Sequence, residues 1–226
     1  MVQRRISPSA PLPLTIYFLI RDFFAIGRRA RQKKSSQSLD RHLGDASVAR
    51  LAIDCGANVG NITSKFVAAG FRVHAFEPHP TARDAFVARA FPADQVRIFP
   101  AAVGIGRGVA TLFRRKKKSQ TKIHTAASSL VDYGKTNAQD HVDVEIIDFI
   151  AYIQQLGERV GILKMDIEGS EVDILNALID RDLLGKIDFA VVETHERFNR
   201  DLAWRTAKLR ARLSHLKVLN VNLDHP

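Results

Sequence analysis

The sequence predicts an α/β fold: one domain on a mostly parallel sheet with helices on both faces, preceded by a helical N-terminal arm. Three observations carry this. From Val48 onward, short apolar runs alternate with amphipathic stretches, the pattern of successive strand–helix–strand units. The first apolar run breaks into a glycine-bearing turn, Asp54-Cys55-Gly56-Ala57-Asn58-Val59-Gly60, as a strand does when it hands over to a helix. The chain of 226 residues, 46% hydrophobic, is long enough to bury one sizeable core.

The elements follow in order. Leu51 to Asp54 reads as a buried strand, and Asn61 to Ala69 as a helix ended by Gly70. Arg72 to Phe76 is the next strand, Thr81 to Ala90 a helix and Val96 to Pro100 a third strand. After the turn Gly104 to Gly108 come Val109 to Phe113 and then a polar segment without periodicity. Residues 114–140 are therefore a candidate substrate loop. Regular structure resumes at Val142 to Ile147, with a helix from Asp148 to Leu156. A strand ending at Lys164-Met165-Asp166, a helix Val172 to Leu183 and a strand Ile187 to Val192 complete the alternation. A helix around Leu202 to Leu213 and a strand Leu216 to Leu223 close the chain.

The first strand-to-helix turn points to a nucleotide-like ligand. Gly56 and Gly60 leave the backbone free to approach one, and the helix from Asn61 begins with free amides. Asp54 places a carboxylate at the mouth, which repels a pyrophosphate and attracts a cationic amino-acid group. Glu77, ending the second strand, stands about where nucleotide folds place a carboxylate for the ribose hydroxyls. The spacing Gly56-x-x-x-Gly60 is wider than the dinucleotide G-x-G-x-x-G, so S-adenosyl-L-methionine fits better than NAD. A tight turn with a capped helix is the purely structural alternative.

The second cluster is Lys164-Met165-Asp166-Ile167-Glu168-Gly169-Ser170-Glu171. Lys164 and Asp166 share a face of their strand, with Asp166 at its carboxyl end, where open parallel sheets collect ligands. The neighbouring strand exits into Glu193-Thr194-His195. Asp166, Glu168, Glu193 and His195 are therefore expected to converge. Ser170 with Asp173 reads as a capping box, and Glu171 as a helix-start acid.

Together these residues resemble the FkbM-type S-adenosylmethionine-dependent methyltransferases. The resemblance runs from about Leu51 to His195, through Asp54 to Gly60, Phe76-Glu77-Pro78, Ala101-Ala102-Val103-Gly104, Ser128-Ser129-Leu130, Lys164 to Gly169 and Glu193-Thr194-His195. Six ordered matches are far more specific than any one alone. The resemblance implies a class I, Rossmann-like methyltransferase fold over residues 48–226 and methyl transfer to a hydroxyl of a sugar, glycolipid or secondary metabolite. It places Asp54, Gly56, Ala57, Asn58, Gly60, Glu77, Pro78 and Ala102 at the cofactor. His195, Asp166, Glu193, Glu168 and Lys164 fall at the chemistry. A closing pair of strands, typical of this fold, has little sequence left to form it.

The activated sulfonium methyl leaves alignment and proton removal to the protein. His195, or a carboxylate among Asp166 and Glu193, is the candidate general base. The alternative is a divalent metal on Asp166, Glu168, Glu193 and His195 that acidifies the hydroxyl. An RNA ribose methyltransferase, with Arg114 to Lys118 gripping phosphate, and a non-catalytic membrane-attached binding module are the competing functions. Intact Asp54 and Glu77 argue against the module. The only cysteine, Cys55, sits in the first turn, which excludes an internal disulfide and leaves no thiol beside the acceptor.

The net charge of +10 is uneven. Residues 1–50 hold ten Lys or Arg against three Asp or Glu, leaving +3 for the rest, and Arg114 to Lys118 alone contributes +5. That is a poor footprint for a nucleic-acid enzyme. Residues 1–47 read as an apolar helix plus a basic linker through Ser35, Ser36 and Ser38. The apolar run Leu12 to Ile20 is too short to span a bilayer. Residues 12–34 fit either an interfacial helix on an anionic membrane, a targeting sequence, or a helix packed on the body as a lid. The expected location is cytoplasmic, with peripheral attachment to the inner membrane face as an extension.

Overall fold

Leu51–Cys55 forms β1, and all five of its residues are buried, as a strand covered by helices on both faces requires. The computed structural model describes residues 10–115, 128–129, 136–196 and 200–225. Around β1 stand β2 (Arg72–Phe76), β3 (Val96–Phe99), β8 (Val160–Met165), β9 (Ile187–Val192) and β10 (Val221–Asn222). Their order is β3-β2-β1-β8-β9-β10, and every neighbouring pair is parallel. The chain builds outward from β1 in one direction and from β8 in the other. The crevice at the carboxyl ends of β1 and β8 is thus the topological switch point, where such sheets bind ligands.

Side-chain alternation assigns the two faces. Leu51, Ile53 and Cys55 join a core with α5 (Phe149–Gln155), α6 (Glu171–Asp180) and α7 (Arg200–His215). Ala52 points the other way, into a core with Leu39, Phe66 and Phe86 from α2 (Arg28–Gly44), α3 (Asn61–Ala68) and α4 (Pro80–Val87). The chain is therefore the three-layer α/β fold that the alternation predicts.

Three details differ from the sequence expectation. Pro100, which has no amide hydrogen to donate, ends β3, and Ala101–Gly104 continues as β4 in a second sheet. That sheet has the order β4-β7-β5-β6, from β5 (Gly108–Arg115), β6 (Ser128–Ser129) and β7 (Thr136–Asp148). Part of the expected substrate loop is thus antiparallel strand, while residues 116–127 and 130–135, with Lys116 to Lys118 and Leu130, lie outside the described residues. The strand expected over Leu216 to Leu223 shrinks to two residues, and β10 pairs parallel with β9.

The third difference is the arm. The expected basic linker is the helix α2, with Ser35 and Leu39 buried. His42 stacks on Phe189 of β9 with ring centroids 3.9 Å apart, so α2 serves as a layer of the domain. Before it, α1 (Leu12–Phe23) packs on α7. Arg210 of α7 secures this arrangement. Its side chain is 6% exposed, with Nε 2.9 Å from Asp22 Oδ2 and Nη2 3.1 Å from Asp224 Oδ1. It also donates to the Leu223 carbonyl at 2.8 Å, joining arm, α7 and C-terminus. Removing one partner from such a buried cluster costs on the order of 3 kcal/mol. Arg210→Met should lower the urea midpoint accordingly without changing the slope, measured by far-ultraviolet circular dichroism.

Candidate active site

The turn after β1 is pressed against the exit of β8. Gly56 has φ +75°, and a Cβ there would stand 1.9 Å from the Asp166 carbonyl oxygen, so only glycine fits. At Gly60 a Cβ would meet the rings of Phe86 and Phe91 at 2.9 Å. Both glycines are thus required by contacts within the protein, and the space the sequence reading reserved for a ligand at their missing Cβ is filled. The amides of Gly56 and Ala57 both donate to the Phe76 carbonyl at 3.0 Å, and that of Gly60 to Ala57 at 2.8 Å. Little of the turn's own backbone is left to cradle a pyrophosphate.

Asp54 corrects the expectation of a carboxylate at the mouth. It is completely buried beneath the turn, where Thr63 Oγ1 donates to its Oδ2 at 2.7 Å and Lys164 Nζ lies 3.3 Å from its Oδ1. Lys164, from the paired position on β8, donates to the Gly56 carbonyl at 2.8 Å and stands 3.8 Å from Asp166 Oδ2. Burial alone lowers the Lys164 pKa, but Asp54 and Asp166 more than offset this and the net shift is upward. An ammonium held charged in this way is a poor general base, and its contacts tie the turn to the exit of β8.

Glu77 is 6% exposed at the other side of the turn. Its Oε2 accepts from the Asn58 amide and its Oε1 from the His79 amide, each at 2.8 Å. Pro78 between them has no amide hydrogen, so the second bond falls on His79. Each carboxylate oxygen keeps acceptor capacity for a further donor such as a hydroxyl. Burial raises the Glu77 pKa, against the opposing pull of the two amides. Ala102, grouped with this site by the sequence motif, instead joins the small apolar cluster of Leu112 and Val144 in the second sheet.

Asp166, Glu168, Glu193 and His195 do converge. His195 is 2% exposed, and its Nε2 lies 3.4 Å from Asp166 Oδ1, 3.6 Å from Glu168 Oε2 and 4.0 Å from Glu193 Oε1. Its Nδ1 meets Glu171 Oε1 at 3.1 Å. Burial would lower the His195 pKa, but the hydrogen bond and charge of Glu171, then Glu168 and Asp166, push it up to about 9. A raised pKa favours the imidazolium at neutral pH, a form with no ring lone pair left to accept a proton. Asp166, with a third of its side chain exposed, is the most open of the three carboxylates facing Nε2.

Glu171 stands in the first turn of α6, as the sequence predicts, but its contacts reach beyond the helix start. The Ser170 side chain caps nothing, and Asp173 pairs outward with Arg205, so no capping box forms. Glu171 accepts instead from the Ile167 and Gly169 amides, both at 2.8 Å, and so folds the loop that carries Asp166 and Glu168. Its 1% exposure and the His195 contact place it beneath the cluster. His225 was missed altogether. Its amide donates to the Val192 carbonyl at 3.2 Å, and burial, then Lys164, pulls its ring down to about 4. A neutral imidazole thus stands beside the crevice, brought there only by the pairing of β10 with β9.

Asp166, Glu168 and His195 each offer a ligand atom within 4.8 Å of one another, a set with the oxygen and imidazole chemistry for a divalent ion. Cys55 is buried and its thiol pKa is pushed well up by burial, consistent with an inert side chain.

A switch-point crevice with carboxylates along its rim, on this sheet, is consistent with a Rossmann-like methyltransferase fold. The family model described as "Methyltransferase FkbM domain" matches residues 54–217, and the chain belongs to that family. No curated protein matches the sequence. The arm helices lie outside the matched region.

A pH prediction follows from His195, which binds its proton more tightly folded than unfolded. Its stabilising contribution is complete below the unfolded value of about 6.5 and is lost as pH rises through about 9. The stability difference between wild type and His195→Gln, from urea unfolding across this window, should shrink by on the order of 3 kcal/mol. A difference independent of pH would refute the imidazolium.

Proposed function

We propose that the protein transfers the methyl group of S-adenosyl-L-methionine to a hydroxyl oxygen of a small-molecule or glycan acceptor. The observation that carries this reading is the pair of carboxylate groupings on the two sides of one crevice. Glu77, clamped by the Asn58 and His79 amides, keeps acceptors for vicinal ribose hydroxyls. Asp166, Glu168 and Glu193 gather round His195 at the exits of β8 and β9. When bound, S-adenosyl-L-methionine supplies the methyl as an electrophile on a cationic sulfur. The inward-turned amides of the Gly56 turn and the acidic rim suit such a cation better than a dinucleotide pyrophosphate.

The residues divide the remaining work. Asp166 is the group proposed to receive the proton of the acceptor hydroxyl, since Oδ1 faces His195 and Oδ2 faces Lys164, which fixes its orientation. His195 holds Asp166, Glu168 and Glu193 together as their shared cation, and Glu171 fixes the ring through Nδ1. A rim of carboxylates accepts hydrogen bonds from a hydroxyl-rich molecule and repels a polyanion, which favours a sugar-like acceptor over RNA.

Calorimetric titration with S-adenosyl-L-methionine and S-adenosylhomocysteine tests the cofactor. Wild type should bind both, and Glu77→Ala should weaken both roughly tenfold or more, the scale of a lost charge-assisted hydrogen bond. Absence of binding by folded wild type would sink the proposal. With an acceptor identified from a panel of glycan and lipid hydroxyls, Asp166→Asn should lower kcat by about 100-fold to 10,000-fold while leaving cofactor affinity within a few-fold. Unchanged turnover would remove Asp166 from the proton path.

A further inference from the structure

The outer side of α1 is apolar and uncovered. Its inner side packs on α7, with Thr15 buried and Asp22 in ion pairs with Arg21, Arg31 and Arg210. On the opposite side Leu12, Ile16, Tyr17, Ile20, Phe23 and Phe24 are all exposed, Phe23 by 80% and Phe24 by 67%. With Ile26 just beyond, this stretch supplies seven of the eleven large apolar side chains exposed among the described residues. The concentration matters because scattered exposed apolar residues are ordinary, whereas a contiguous patch marks a binding surface.

The charge around the patch identifies what covers it. The two charged residues of α1, Arg21 and Asp22, are paired with one another at 2.6 Å, leaving the outer face without charge. Immediately after it, α2 starts with Arg28, Arg29 and Arg31, has no acidic residue in its first turn and no side-chain cap, and continues with Lys33 and Lys34. Arg31 is already paired with Asp22 and Asp224, but Arg28 and Arg29 stand at the positive end of the helix dipole with no acidic residue in that turn, which favours a nearby anion. Phe18 of α1 and Lys34 of α2 both line a cleft of about 410 Å³ on the body side of α1, so the first turns of α2 lie against α1. No described helix is long and apolar enough to cross a membrane.

We propose that α1 and the first turns of α2 form a docking surface for an anionic lipid bilayer, with α1 lying in the plane of the interface. Aromatic and aliphatic side chains on one helical face, with cations next to them, are the two components of such binding. A second copy of this chain is the poorer occupant, because it would bring two sets of Arg28, Arg29, Lys33 and Lys34 together.

Flotation of the full chain with vesicles tests this directly. It should bind phosphatidylcholine vesicles containing phosphatidylglycerol and bind pure phosphatidylcholine vesicles much more weakly. Phe23→Ser with Phe24→Ser should weaken anionic binding roughly tenfold or more, and Lys33→Glu with Lys34→Glu should do so by roughly fivefold per charge removed. Both variants change exposed residues, and an unchanged thermal midpoint confirms that they fold. Failure of the folded wild type to bind, or equal binding to neutral vesicles, overturns the proposal. So does a wild-type dimer in solution that Phe23→Ser with Phe24→Ser converts to monomer, since the patch would then be covered by a second copy.

Discussion

The position of the Lys164 ammonium is the constraint on which the crevice depends. It lies between β1 and β8, where the strand order reverses, and is shared by the Gly56 carbonyl, Asp54 and Asp166. Burying a charge is favourable only where partners surround it, so the three acceptors and the lysine require one another. The tie pulls the first turn onto the exit of β8, which is why Gly56 has no room for a Cβ. It also fixes one oxygen of Asp166 and leaves the other to His195. Two strands far apart in sequence thereby become a single rigid rim.

The same device recurs twice in a different form. Glu77 is clamped by two amides across the first crevice wall, and Glu171 by two amides in the loop after β8. In each case a buried carboxylate takes the place of regular secondary structure in satisfying backbone donors. The result is a set of irregular loops with fixed shape, as catalytic geometry needs. The cost is a concentration of negative charge, which one imidazolium and one ammonium partly balance. That balance explains why the pKa of His195 is raised despite its burial.

The arm belongs to this architecture more closely than its position outside the family match suggests. Leu39 and His42 cover β9, and Asp22 reaches Arg210, which also bonds Thr194 at 3.3 Å, one residue before His195. An apolar helix is thus fastened to the site strand by ion pairs on one side while its other side faces outward. The polar residues of α1, Thr15 and Asp22, lie on its inner side and its apolar residues face outward, the reverse of an ordinary surface helix.

The sequence by itself determined the three-layer parallel architecture, since periods of two and 3.6 in apolar residues decide which faces are buried. It also located both site loops, because strand ends with Gly56, Glu77, Asp166 and His195 are readable without knowing their partners. What it could not assign was the state of those groups. Whether Asp54 faces a ligand or a lysine, whether His195 carries a proton, and whether Glu171 caps a helix or folds a loop depend on residues brought near from elsewhere in the chain. The same holds for His225, delivered by a two-residue strand, for Ala102, diverted by Pro100 into another sheet, and for the basic segment that became α2. Hydrophobic pattern is local and survives in the sequence; electrostatic environment is a sum over neighbours, and only the tertiary structure decided who the neighbours are.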